Sequence, residues 1–136
     1  MSSRRVVCDA SALVTVLLDA GPGGTWLARR LDGVELCAPA LLLFECSNVF
    51  RRHEVGGLIS ADQAAQAHAD LLALPMELFP YEVVAQRVWA LRNNLTSYDG
   101  AYVALAELLG TPLITLDERL ASAPTIRCDV EVPPVA

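Results

Sequence analysis

The sequence predicts an α/β fold, a three-layer sandwich around a mostly parallel central sheet. Two patterns point there. Short apolar runs alternate with longer stretches of helical periodicity. Acids also stand where apolar runs stop, Asp9 after Val6-Val7-Cys8 and Asp117 after Leu113 to Leu116. In parallel sheets ligands bind beyond the carboxyl ends of the strands, and both aspartates occupy that kind of position.

Arg5 to Cys8 reads as a buried strand, and Ala12 to Leu18 as a helix capped by Ser11 or Asp9. Asp19 to Gly24, with three glycines and a proline, reads as a loop. Thr25 is placed as the cap of a helix from Trp26 to Leu31, and Glu35 to Ala38 as a second strand. From Ala40 to Val55 the spacing is helical: Leu42, Cys46, Val49 and Phe50 share an apolar face, and Glu45, Asn48 and Arg52 lie on the neighbouring stripe. Ser60 and Gln63 form a capping box for Ala61 to Leu74. Met76 to Phe79 is a third strand between prolines, and Tyr81 to Asn94 a further helix. Thr96 to Leu120 is then read as a helix with Asp99 in its first turn, a Gly-Thr-Pro turn, the strand Leu113 to Leu116 and a last short helix. Alternation around Ile126 to Val132 suggests an edge strand. With no repeat, linker or low-complexity segment, residues 1–136 are expected to form one domain.

Composition narrows the function. The net charge is −6, and every basic residue is an arginine. The absence of lysine excludes a P-loop and disfavours folds that need an active-site lysine. An acidic chain does not hold nucleic acid by bulk charge, although bound cations supply positive charge locally. The longest apolar run, Cys37 to Phe44, is interrupted by Pro39 and falls far short of the ~20 residues that span a bilayer. Asp9 breaks the apolar stretch after Arg4-Arg5, and no signal-cleavage pattern follows, so a cytoplasmic protein is expected. Cys8, Cys37, Cys46 and Cys128 form no C-x-x-C pair and suit reduced, packed thiols.

Each of Asp9, Glu45, Asp99 and Asp117 has a plain structural use, as a helix cap or a solvated side chain. Their settings together say more. Three stand at the mouths of hydrophobic elements, and Glu45 lies within Leu41-Leu-Leu-Phe-Glu-Cys, where no lysine exists to pair it. Carboxylates ~4 Å apart repel by roughly 4 kcal/mol at an effective dielectric near 20. Four converging acids must take up protons or bind a hard cation, of which Mg²⁺ or Mn²⁺ is the natural choice. His53 and His68 are isolated and give no zinc pattern.

These residues also carry a resemblance. Val7-Cys8-Asp9-Ala10-Ser11-Ala12-Leu13 looks like the opening motif of PIN-domain ribonucleases. Glu45 followed by Asn48, then Ser97-Tyr98-Asp99-Gly100-Ala101-Tyr102 and Leu116-Asp117-Glu118-Arg119-Leu120, resemble the family's later motifs in order. Gly100 stands where alanine is more usual. Short members of this form are typically VapC toxins of bacterial toxin–antitoxin pairs. The resemblance implies an acidic metal site of Asp9, Glu45, Asp99 and Asp117, with Ser11 and Thr115 as hydroxyls behind it. It implies Mg²⁺- or Mn²⁺-assisted hydrolysis of RNA, a homodimer and a cognate antitoxin. Arg51, Arg52 and Arg119 either guide the RNA backbone or are solvated helix charges. Leu41 to Phe44 and Leu71 to Leu74 either offer the antitoxin a groove or belong to the core. The competing readings are a non-catalytic module that docks RNA or protein, and a Mg²⁺-dependent phosphohydrolase of small esters.

Overall fold

The computed structural model describes residues 4–19 and 21–134. The first strand, β1 (Arg5–Cys8), lies at the centre of a five-stranded sheet. It is followed by α1 (Ala10–Leu18), α2 (Pro22–Leu31), β2 (Glu35–Pro39), α3 (Leu42–Val55), α4 (Ala61–Ala73) and β3 (Met76–Phe79). Then come α5 (Tyr81–Ala90), α6 (Ser97–Leu109), β4 (Leu113–Ile114), α7 (Glu118–Ala121) and β5 (Val130–Glu131). The strand order is β3-β2-β1-β4-β5, and every pairing is parallel.

This order sets the layers. The chain steps outward from β1 to β2 and β3, then crosses back to lay β4 and β5 on the other side of β1. Right-handed crossovers put the helices of the two halves on opposite faces. In agreement, α1 packs with α2, α3 and α4, whereas α6 packs with α5 and against β1, β2 and β4. This is the expected three-layer sandwich. The core joins Val7, Cys37, Leu13, Leu42, Leu71, Val103, Leu105, Leu113 and Ile114, all nearly inaccessible to solvent. Val7 pairs in register with Cys37 on one side and Leu113 on the other, so the core is densest around β1.

Most local signals act as expected. The Ser60–Gln63 capping box is complete. Asp9, rather than Ser11, is the cap of α1, accepting from the Ala12 backbone N–H at 3.1 Å. Of the 41–44 run, Leu42 is buried while Phe44 is 77% exposed, and Leu72 is exposed beside buried Leu71. The four cysteines are free thiols.

Three expectations need correction. Helix α2 begins at Pro22, not Trp26, because proline is pre-set for the first helical position. Thr25 is inside it, its hydroxyl donating to the Gly21 carbonyl at 3.1 Å. Gly24 is not a loop glycine: a Cβ there would stand 2.1 Å from the Asp19 carbonyl oxygen, so α1 and α2 approach closely only over a bare Cα. Helix α5 stops at Ala90, and the chain turns before Asn94. Finally β4 is two residues long, since the Leu116 and Asp117 N–H groups are taken by the hydroxyls of Ser11 and Thr115 at 3.0 Å each.

Candidate functional site

The sheet reverses its winding between β1 and β4, and such a switch point opens a crevice at the carboxyl ends of the strands. Asp9 leaves β1 at this crevice. Its backbone N–H is tied to the Ile114 carbonyl at 3.1 Å, and the residue is only 8% exposed. Oδ1 accepts from the Ser11 hydroxyl at 2.6 Å as well as from the Ala12 N–H, and Oδ2 accepts from the buried Thr115 hydroxyl. The capping role is therefore real, and it is combined with a rigid, buried carboxylate. Ser11 and Thr115 stand behind it, 3.4 Å apart, and each also binds the backbone after β4.

Glu45 arrives from the first turn of α3, which aims it over the end of the sheet. It is half-buried, and the Tyr102 hydroxyl of α6 donates to its Oε1 at 2.5 Å. The sequence alone gave Tyr102 no role, because a buried tyrosine in an apolar helix reads as core. Asp99 sits in the first turn of α6, where Thr96 accepts from its backbone N–H at 3.1 Å. Only this Thr96 half of the expected capping box is formed, which leaves the Asp99 carboxylate free for other work. Asp117 caps α7 and is gripped by Arg119, with Nη2 to Oδ2 at 2.6 Å and Nε to Oδ1 at 3.0 Å.

The charges of these acids reach one another. Burial pushes the Asp9 carboxyl up against the pull of its hydrogen bonds, and the charge of Asp99 adds to the rise. Glu45 is raised by burial and further by Asp9 and Asp99, with the Tyr102 hydrogen bond opposing. Asp99 is raised by burial and by Asp117. Asp117 alone is held low, by its hydrogen bond to Arg119. A set of oxygen donors that discourage one another's ionisation suits a hard divalent cation. Among the described residues, however, no three His, Cys, Asp or Glu side chains are already drawn around one point. Asp117 is turned to Arg119, which occupies both of its carboxylate oxygens.

Two hollows flank the acids. One of about 420 Å³, between α3 and α6, is lined by Glu45, Asn48, Arg52, Phe44 and Tyr98. The other, of about 360 Å³, is lined by Asn94, Thr96, Asp99 and Arg119. A larger hollow of about 560 Å³, around Leu31, Cys37 and Met76, lies at the opposite, amino end of β2 and β3 and touches none of the four acids. No described helix is long and apolar enough to cross a membrane.

A parallel α/β sandwich with carboxylates at its switch point defines a class of small α/β domains rather than one protein. The comparison with known sequences narrows it: a PIN domain family model matches residues 6–125, and the chain belongs to that family. It is 41% identical to Ribonuclease VapC12 of Mycobacterium tuberculosis over 93% of this chain and 98% of the relative. It is 37% identical to Ribonuclease VapC1 of the same organism over 93% and 96%. The fold is similar to that of Mycobacterium tuberculosis VapC20, described as a sarcin-ricin loop cleaving toxin. That match has a TM-score of 0.69, 13% identity, and covers 95% of this chain and 99% of the other. A toxin–antitoxin complex from Klebsiella pneumoniae matches with a TM-score of 0.68 and 16% identity, covering 96% and 99%.

Proposed function

We propose that this chain is a divalent-metal-dependent endoribonuclease that hydrolyses RNA phosphodiester bonds and acts as the toxin of a toxin–antitoxin pair. One observation carries the reading. The buried Asp9 carboxylate, pinned by Ser11 and Thr115, lies within electrostatic reach of Glu45 and Asp99 at the switch point of the sheet. The ribonuclease relatives support it.

Asp9, Glu45, Asp99 and Asp117 would hold one or two Mg²⁺ or Mn²⁺ ions, which when bound make a water more acidic and offset charge on the phosphate. The protein's own residues do the positioning. Ser11 and Thr115 fix both oxygens of Asp9, and Tyr102 fixes Glu45. Arg119, Arg52 and Arg51 lie in the motifs that carry Asp117 and Glu45 and are suited to guide the RNA backbone without a covalent step. The same reading takes residues 1–136 as one domain, working in the cytoplasm as a homodimer. The toxin–antitoxin complex among its structural neighbours supports a cognate antitoxin as partner.

The test is RNA cleavage with Mg²⁺ or Mn²⁺, run beside identically purified Asp99→Asn protein. Asparagine keeps the shape and removes the charge. Divalent-dependent cutting by the native chain alone is the expected result. Equal cutting by both proteins overturns the site. Stable RNA binding by both, with no turnover in any divalent metal, replaces the enzyme with a binding module.

A further inference from the structure

The two hollows beside the acids are alike in one respect and different in another. Each offers one arginine and one asparagine: Arg52 with Asn48 on one side, Arg119 with Asn94 on the other. Only the first also offers aromatic side chains, Phe44 at 77% and Tyr98 at 65% exposure. Exposed aromatic side chains gathered at the rim of a polar hollow are one mark of a ligand-binding groove.

We propose that the hollow between α3 and α6 is the specificity subsite for one nucleotide beside the scissile bond. The Tyr98 ring stacks on its base, the Asn48 amide reads the base edge, and Arg52 meets its phosphate. The inference rests on the ribonuclease reading and adds to it a recognition element. An RNA strand laid across the acids must place a nucleotide on each side. Unpaired bases are bound by aromatic stacking and by hydrogen bonds to their edges, which are the groups this hollow supplies. Its volume of about 420 Å³ falls within the range of small-molecule pockets.

The neighbouring charges favour this occupant. The three ion pairs among the described residues engage Arg30, Arg87 and Arg119, so Arg52 keeps its charge for a ligand. The exposed Trp89 makes a useful contrast, because the Arg92 guanidinium already covers its ring at 4.6 Å. The opposite hollow, lacking an aromatic side chain and holding an arginine tied to Asp117, suits backbone contact without base choice. Recognition is therefore one-sided.

The experiment compares native, Tyr98→Ala, Tyr98→Phe and Asn48→Ala proteins on a random-sequence single-stranded RNA pool with Mn²⁺, reading the cut ends by sequencing and the rates separately. Tyr98→Ala is expected to raise KM roughly ten-fold with little change in kcat, and to flatten base preference at a single position beside the cut. Tyr98→Phe, which keeps the ring, should behave as the native chain, and Asn48→Ala should flatten the same position. Unchanged preference in Tyr98→Ala, loss on both sides of the cut, or equal damage in Tyr98→Phe would overturn the subsite. So would a Tyr98→Ala protein that cuts normally but has lost affinity for its antitoxin, since the hollow would then serve a protein. If the native chain cuts no RNA, the ribonuclease reading fails by itself. Anisotropy with a labelled single-stranded oligoribonucleotide still decides the subsite: weaker binding by Tyr98→Ala supports it, and equal binding rejects it.

Discussion

The Tyr102 hydroxyl meets Glu45 Oε1 at 2.5 Å, and this contact joins α6 to α3 across the carboxyl end of the sheet. It fixes the carboxylate of a glutamate that would otherwise be free to turn. Removing the hydroxyl with Tyr102→Phe keeps the buried ring and releases the carboxylate. A hydrogen bond to a charged group contributes about 1.5–3 kcal/mol, with the lower end expected here because Glu45 is half-exposed. Urea denaturation should register that loss, and cleavage should slow more in kcat than in KM.

Thr115 offers a sharper test, because it is fully buried and its hydroxyl serves both Asp9 and the Asp117 N–H. Thr115→Val preserves shape and strips both partners. Leaving buried polar groups unpaired costs about 1–3 kcal/mol each. Ser11→Ala removes a second donor to Asp9, 2.6 Å away. The two hydroxyls touch the same carboxylate, so the double variant should lose less stability than the sum of the singles. Strict additivity in the denaturation midpoints would show that they do not act as one network.

The raised carboxyls of Asp9, Glu45 and Asp99 set a pH dependence. In the window from the ordinary carboxylate pKa up to the raised values, the folded chain binds more protons than the unfolded chain. Stability therefore increases as pH falls through that window and is lost as pH rises through the raised values. Asp117 and Glu131, both held low by arginine, act oppositely, and their contribution disappears only at more acid pH. Melting without divalent metal should accordingly show Tm rising as pH drops from neutral, then falling in strong acid. Saturating Mn²⁺ should raise Tm most at neutral pH, where the acids are ionised, and flatten the slope. A metal-free Tm that falls steadily from neutral pH would contradict the buried-acid site.

Arg119 competes with any ion for Asp117, which it grips at 2.6 Å. Arg119→Ala should therefore tighten Mn²⁺ binding, read by calorimetry, while weakening RNA binding. Looser Mn²⁺ binding in that variant would mean that Asp117 needs the arginine to hold its place.

Two glycines should respond in opposite directions to alanine. At Gly100 a Cβ would meet the nearest side-chain atom, Val88 Cγ1, at an ordinary 3.7 Å, inside a helix. Gly100→Ala is expected to stabilise by about 0.5–1 kcal/mol through the entropy of the unfolded chain. At Gly24 the added Cβ would collide with the Asp19 carbonyl, so Gly24→Ala should force α2 off α1 and lower Tm by several degrees. Thermal denaturation of both variants reads this directly.

These cases also mark where local sequence is informative. The capping box at Ser60 and Gln63, the strand ending at Asp9 and the apolar stripe Leu42-Cys46-Phe50 depend on neighbours a few residues away, and each was legible. Gly24 looked like loop because its reason for being glycine is the approach of another helix. Thr25 looked like a cap because the proline three residues earlier had already started the helix. The four acids could be nominated from their places at element ends, but not how each is held. Tyr102 lies 57 residues from Glu45, and no local pattern encodes such a pairing. Arg119 reads from the sequence as either a guide for RNA or a solvated helix charge, while its grip on Asp117 depends on the tight turn into α7.

The Asp9–Thr115 bond spans 106 positions, and the central strand β1 gains its second neighbour only when β4 is present. On a ribosome adding 5–20 residues per second, roughly 5 to 20 s separate the synthesis of these two residues. Through that interval Asp9 has neither the Thr115 hydroxyl nor the Ile114 carbonyl, and Asp99 and Asp117 are the last of the four site acids to be made. A nascent chain of the proposed ribonuclease therefore lacks the complete acidic site until the segment bearing Thr115 and Asp117 has been made.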